Sequence, residues 1–280
     1  MHWEKVTLFC FFASYTLALI LELTQFVLRS RILRLGAIGC TVGGLVAQTA
    51  YLVVRSQQHD LPPLLGSQHD WLLVLAWLTT VILLGVQMWD LEVSLGVFLL
   101  PIILVLVGAA RFVSEQPNPR IPHWGTMRHW GMLHASLLVL GIGGVTLALI
   151  TSLMYLIQHN RLRHKQAESP GLHLLSLERL SRINWWLVIV SVPLLTLGMG
   201  TGLWLSYLAK DSASPVNLTG VDSIANGIMW FFMAALCGWM LSAKQPAGKL
   251  VAWRTVLACG FLLAVMLLIS LLGADGIHAK

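Results

Sequence analysis

Eight stretches of about 20 mostly apolar residues, parted by short charged or turn-rich segments, set what this chain can fold into. They fall at about 6–28, 32–54, 71–89, 91–113, 132–157, 185–208, 221–241 and 250–272. At 1.5 Å rise per residue, each is long enough to cross a hydrocarbon core of about 30 Å as a helix. Hydrocarbon offers no hydrogen-bond partners, so each crossing segment must satisfy its own backbone. The expected fold is all-α: a polytopic membrane helical bundle of about eight transmembrane helices, with residues 1–280 forming a single integral membrane domain. Only 11% of residues are charged, against roughly 25% in soluble domains, which excludes soluble enzyme folds. The first window is too long for a signal-peptide core. It follows only His2 and Lys5 and lacks a small-x-small site after it, so it reads as retained.

Loop charge supplies an orientation, since the side richer in Lys and Arg stays in the cytoplasm. The segments closing windows 1–2, 3–4, 5–6 and 7–8 hold Arg29, Arg31, Arg34, Arg161, Arg163, Lys165, Arg179, Arg182, Lys244, Lys249 and Arg254. The opposite side holds fewer: Lys5, Arg55, Arg111, Arg120, Arg128, Lys210 and Lys280. Both termini are therefore expected on the outer side of a bacterial-type inner membrane, with residues 158–184 as the main cytoplasmic loop. The net charge of +6 arises from this bias and suits anionic lipid, so it is no argument for nucleic acid.

Cys10, Cys40, Cys237 and Cys259 all lie inside windows, and the chain has no C-x-x-C pair and no C-x-x-C-H run. A thiol oxidoreductase and a c-type cytochrome are thus excluded, and the thiols read as small apolar fillers. Glycines at 36, 39, 43 and 44, at 141, 143 and 144, and at 198, 200 and 202 form small-residue faces for close helix packing. Pro101 and Pro193 are expected to kink their helices. Glu22 and Arg34 read as an ion pair across the first hairpin; the alternative, a proton or substrate relay, would need further acids at mid-depth, and Glu92 and Asp222 lie near span ends instead.

Histidine carries more information. Of ten, His2, His59, His69, His123, His129, His134 and His278 fall on the outer side, and His159, His164 and His173 on the inner. A neutral imidazole ligates haem iron, and two from opposite faces make a low-spin bis-His site. His134 sits in the first turn of its window, and His278 lies just past the last window on the same side. Those helix ends can meet around a flat ligand, with propionates near Arg120, Arg128 or Lys280. A single interfacial histidine is also commonly a solvated or hydrogen-bonded loop residue. Trp124 and Trp130 stand beside His123 and His129, as anchors at the headgroups or as walls for a haem face. His123 or His129 is the competing choice for one axial ligand.

A longer pattern starts at the same place. His134-Ala-Ser-Leu-Leu opens a span; a basic hairpin follows, then Leu174-Leu-Ser-Leu-Glu178-Arg-Leu, and a span ending Leu194-Leu-Thr-Leu-Gly198-Met-Gly-Thr-Gly202-Leu-Trp204. This order resembles the cytochrome c assembly protein family, the haem-handling membrane proteins of cytochrome c biogenesis, and in particular its HemX-like inner-membrane branch. The likeness runs over about 134–278 and extends to Trp253-Arg254 at the start of the last span.

The resemblance implies that His134 and His278 match two externally placed haem-ligating histidines, with Gly276-Ile277-His278 matching a Gly-Leu-His ending. It implies non-covalent haem b as cofactor and other cytochrome c biogenesis or respiratory membrane proteins as partners. The alternative is a HemX-like accessory or scaffold protein of tetrapyrrole synthesis or respiratory-complex assembly that holds no haem. A small-solute or proton transporter is disfavoured by the lack of further intramembrane acids and of matching broken helices. The chain departs from the family in three places. The 210–222 loop has no Trp where haem-synthetase members carry a Trp-rich stretch, Gln48 stands where many relatives place an intramembrane His, and Gly238-Trp239 stands where a second often follows. No catalytic nucleophile, phosphate loop or metal cluster is legible, so an enzyme is not expected.

Overall fold

The computed structural model describes residues 7–25, 28, 30–89, 95–116, 128–164, 175–208, 221–242 and 248–275. All regular structure among them is helical: α1 (Leu8–Thr24), α2 (Arg31–His59), α3 (Pro63–Gly66), α4 (Gln68–Trp89), α5 (Gly96–Ala110), α6 (Arg128–Arg163), α7 (Leu177–Leu208), α8 (Val221–Ser242) and α9 (Lys249–Asp275). Each of the eight apolar windows holds a helix. Four of them, α2, α4 to Met88, α6 and α7, are long and apolar enough to cross a membrane, while Leu8–Thr24, Gly96–Ala110 and Trp230–Trp239 are shorter apolar stretches. Large apolar side chains face outward: Ile32 is 79% exposed and Phe9 73%. Such surfaces suit contact with a lipid bilayer and are rarely this abundant in water.

The helix ends differ from the windows for local reasons. Ser30 caps α2 by accepting from the Ile32 N–H, and α2 stops where Asp60 adopts a left-handed conformation ahead of Pro62 and Pro63. Those prolines open the single turn of α3, as suits a residue without an N–H. The expected 158–184 loop is instead partly helical, because α6 runs to Arg163 and α7 begins at Leu177. With 36 and 32 residues, α6 and α7 reach about 54 Å and 48 Å, well beyond a hydrocarbon core. Both α5 and α7 continue through their internal prolines, Pro101 and Pro193.

The chain forms two compact units, residues 1–117 with 161–175, and residues 118–160 with 176–280. In the first, α1 packs on α2 and α5, and α4 packs on the same two, so α1 and α4 face each other across the middle. Fully buried Phe11, Tyr15, Leu72, Leu75, Leu99 and Ile103 fill that space. Polar side chains tie it together. Tyr15 donates to Gln48 Oε1 at 2.6 Å, and Gln48 Nε2 donates to the Leu73 carbonyl at 3.0 Å, linking three helices through one amide. Gly44 permits this, since a Cβ there would lie 2.5 Å from the Tyr15 ring. The expected Glu22–Arg34 ion pair does not form; Glu22 instead accepts from Gln87 Nε2 at 3.1 Å.

In the second unit, the antiparallel pair α6 and α7 meets along a seam of small residues. A Cβ on Gly141 would come within 2.8 Å of Leu195, and one on Gly198 within 2.7 Å of Leu138. Gly144 receives Ser191 in the same manner. In lipid there is little hydrophobic drive between helices, so close backbone approach and dispersion contact carry the association. Across this unit, Trp230 Nε1 donates to Thr196 Oγ1 at 2.8 Å, and Asn184 Nδ2 to Thr255 Oγ1 at 3.3 Å, tying α8 and α9 to α7. Cys237 and Cys259 are buried free thiols as expected of fillers, whereas Cys10 is exposed.

Candidate functional site

The small-residue seam ends at His134. Two turns of α7 lie against that imidazole, where Gly198 and Gly202 expose bare backbone. His134 Nδ1 is 2.7 Å from the Gly198 carbonyl oxygen. A carbonyl only accepts, so Nδ1 carries the hydrogen and Nε2 is left with its lone pair. The Thr201 hydroxyl lies 3.4 Å from the same Nδ1 and itself donates to the Gly198 carbonyl at 2.7 Å. A Cβ on Gly202 would stand 2.8 Å from His134 Cε1, so any larger residue there displaces the ring. No hydrogen bond to Nε2 is made among the described residues.

Metal-ligating histidines commonly have one ring nitrogen held in this way by a backbone carbonyl, which fixes the tautomer that leaves the other nitrogen its lone pair. His134 is partly buried near the start of α6, where Trp130, one turn away, is 44% exposed; Leu133 on α6 and Trp204 on α7 are 45% and 49% exposed. A flat, largely apolar ligand with one axial demand suits such a boundary. The residues present thus fit one side of a haem. His278, His123 and Trp124 lie outside the described residues, as do Arg120 and Lys280. Trp130 is one turn from His134 on nearly the same face of α6, while exposed His129 sits about 140° around the helix from it. No group of three or more His, Cys, Asp or Glu able to hold a bare metal ion occurs among the described residues.

His69, counted above among the outer histidines, is fully buried in the first unit with both nitrogens engaged. Nδ1 donates to the Ala110 carbonyl at 2.7 Å, and Nε2 accepts from Tyr51 at 3.3 Å. Beside it, Arg55 pairs with Asp70 at 2.6 Å and reaches Glu115 at 3.4 Å. Ser67 accepts from the Asp70 N–H at 3.1 Å and opens α4 as a Ser-x-x-acid cap. In the sequence, only the Ser67-x-x-Asp70 spacing marks this knot, as a helix cap; the partners Arg55, Glu115 and Ala110 come from other helix ends. Toward the other end of α6, His159 stacks on Tyr155 with ring centroids 6.2 Å apart.

Two departures from the resembled family have structural roles. Gln48 is fully buried as the three-helix link described above. Trp239 carries the Arg254 guanidinium over its ring at 4.0 Å, a cation–π contact between α8 and α9. Neither position offers an imidazole, and both are occupied by contacts that hold helices together. No family model, characterised protein or solved structure matches the chain.

Proposed function

We propose that this chain is a haem-binding integral membrane protein that supports cytochrome c assembly, crossing the inner membrane eight times with both termini outside. One non-covalent haem b would be held at the outer face by His134, through Nε2, and by His278. The observation that carries this reading is the His134 Nδ1–Gly198 contact, which fixes the tautomer needed for coordination through Nε2. The iron supplies the redox-active, ligand-accepting centre when haem is bound. His134 would orient it, Trp130, one turn away on nearly the same face of α6, would border its apolar edge, and the seam glycines keep α7 close enough to hold the imidazole. A neutral ring is required, so haem is released as His134 protonates in acid.

The purified full chain, expressed with ample haem, tests this by absorption spectroscopy. A reduced low-spin b-type spectrum is expected, and His134→Ala or His278→Ala should abolish it or turn it high-spin. A colourless protein, or a spectrum indifferent to both substitutions, overturns the site and transfers the weight to an accessory protein that works through partner contacts.

A further inference from the structure

At the opposite end of the first unit from His69 lies a polar group that haem binding does not use. Glu22, near the end of α1, is 7% exposed, and Gln87, near the end of α4, is 6% exposed. Gln87 Nε2 donates to Glu22 Oε1 at 3.1 Å. The same oxygen lies against the first residue of α5, where a Cβ on Gly96 would come within 2.6 Å of it. Glycine therefore admits the carboxyl to the α5 N-terminal turn, whose N–H groups and dipole favour negative charge. Arg34 of α2 is the one charged group among the described residues that acts on Glu22.

Two buried polar atoms here have no hydrogen-bond partner: Gln87 Oε1 and Gln25 Nε2, the latter about one turn along α1 from Glu22. The orphaned acceptor belongs to the same amide whose nitrogen already touches the carboxyl. An ionised carboxylate has no hydrogen to give it, but a protonated one does. Turning the Gln87 amide over exchanges Nε2 for Oε1 and lets the Glu22 O–H donate to it. Each protonation state of Glu22 thus has its own matching amide orientation. An ionisable side chain held among apolar helices is costly to keep, and proton exchange is a recurrent reason to keep one.

We propose that Glu22 and Gln87 form a proton-binding site within the membrane part of this chain, where the Glu22 carboxyl takes up one proton and the Gln87 amide turns over in response. The site is independent of haem and of His134.

Dicyclohexylcarbodiimide, an apolar reagent that attacks protonated carboxyls, tests this on the full chain in detergent. The carboxyl proton passes to one reagent nitrogen, the carboxylate oxygen adds to the central carbon, and the acyl group migrates to nitrogen. Acid and reagent join as an N-acylurea with nothing released. Across roughly pH 5 to 9, label on Glu22, read by peptide mass spectrometry, should fall about tenfold per unit above a midpoint. Gln87→Leu, or Gln87→Met if the first does not fold, should raise that midpoint by on the order of one unit, because the ionised form loses its donor. Absence of label at every pH, or label that does not change with pH, overturns the proposal on the wild-type protein alone. A midpoint unmoved in a folded Gln87 variant removes the amide from it.

Discussion

His134 and Gly198 are joined across the α6–α7 seam by a 2.7 Å hydrogen bond from Nδ1 to the backbone carbonyl, a contact available only because the helices meet through glycine. The same glycines that bring the backbones together therefore also set the chemistry of the imidazole. Packing and the orientation of the imidazole are one feature of this helix pair.

Gly202→Ala tests that coupling. Its methyl would stand 2.8 Å from His134 Cε1, so the ring must leave its place against α7. If His134 holds haem as proposed, haem content should fall or the spectrum turn high-spin, while Gly200→Ala, which meets nothing within 4 Å, should leave the spectrum unchanged. Equal effects of the two, read by absorption of the reduced proteins, would show that Gly202 does not position the ring.

The seam should also matter for stability. Gly141→Val puts branched carbons against the Leu195 side chain and its backbone nitrogen at 3.3 Å, and a packed backbone yields little. Overpacking of this kind costs about 1–3 kcal/mol, measurable as earlier thermal unfolding in detergent. Gly238→Ala, with open space around it, serves as the neutral comparison.

The knot around His69 makes a third test. Asp70 is 4% and Arg55 11% exposed at the side chain, so removing one partner strands a buried charge. Asp70→Asn should cost about 3 kcal/mol or more of stability, and adding Arg55→Gln should restore part of it. If the double variant is no better than the single, the pair is not coupled and the loss comes through the bond that the Ser67 hydroxyl donates to the Asp70 carboxylate at 3.0 Å.

The sequence made the helices legible because an apolar run of bilayer length leaves the backbone one economical choice. Helix ends were less so. The α6 and α7 extensions carry Arg161, Arg163, Arg179 and Arg182 on helix rather than loop, since hydropathy marks where a helix is apolar, not where it stops. His134 was singled out by its place in the first turn of a span, but its carbonyl partner depends on register between two helices 64 residues apart, which composition does not encode. Glu22 was matched to Arg34 by hairpin proximity; the helix arrangement gave it Gln87 instead, a residue 65 positions away that neither charge nor periodicity marks.

Gln48 tests whether its three-helix link accounts for a glutamine at this depth. Gln48→Leu keeps the volume but leaves the Tyr15 hydroxyl without the acceptor it meets at 2.6 Å, at a cost of about 1–3 kcal/mol. Pairing it with Tyr15→Phe should recover much of the loss, seen in the detergent melting temperature of the two variants. A single variant as stable as the native chain would show that the link carries little.

Orientation is the last prediction. Positive residues gather at the α1–α2, α6–α7 and α8–α9 ends, and four of them stand on helical extensions that reach past the hydrocarbon, where positive charge resists translocation. The 158–184 hairpin should therefore lie in the cytoplasm, and the segment between α7 and α8, with Lys210 as its only cation, outside. In a background lacking the four native cysteines, a membrane-impermeant maleimide added to intact cells should label Ser212→Cys and spare Ser169→Cys, with the order reversed in inverted vesicles. Labelling of Ser169→Cys from outside would place His134 on the cytoplasmic face, where the proposed haem site would no longer serve an extracytoplasmic assembly step.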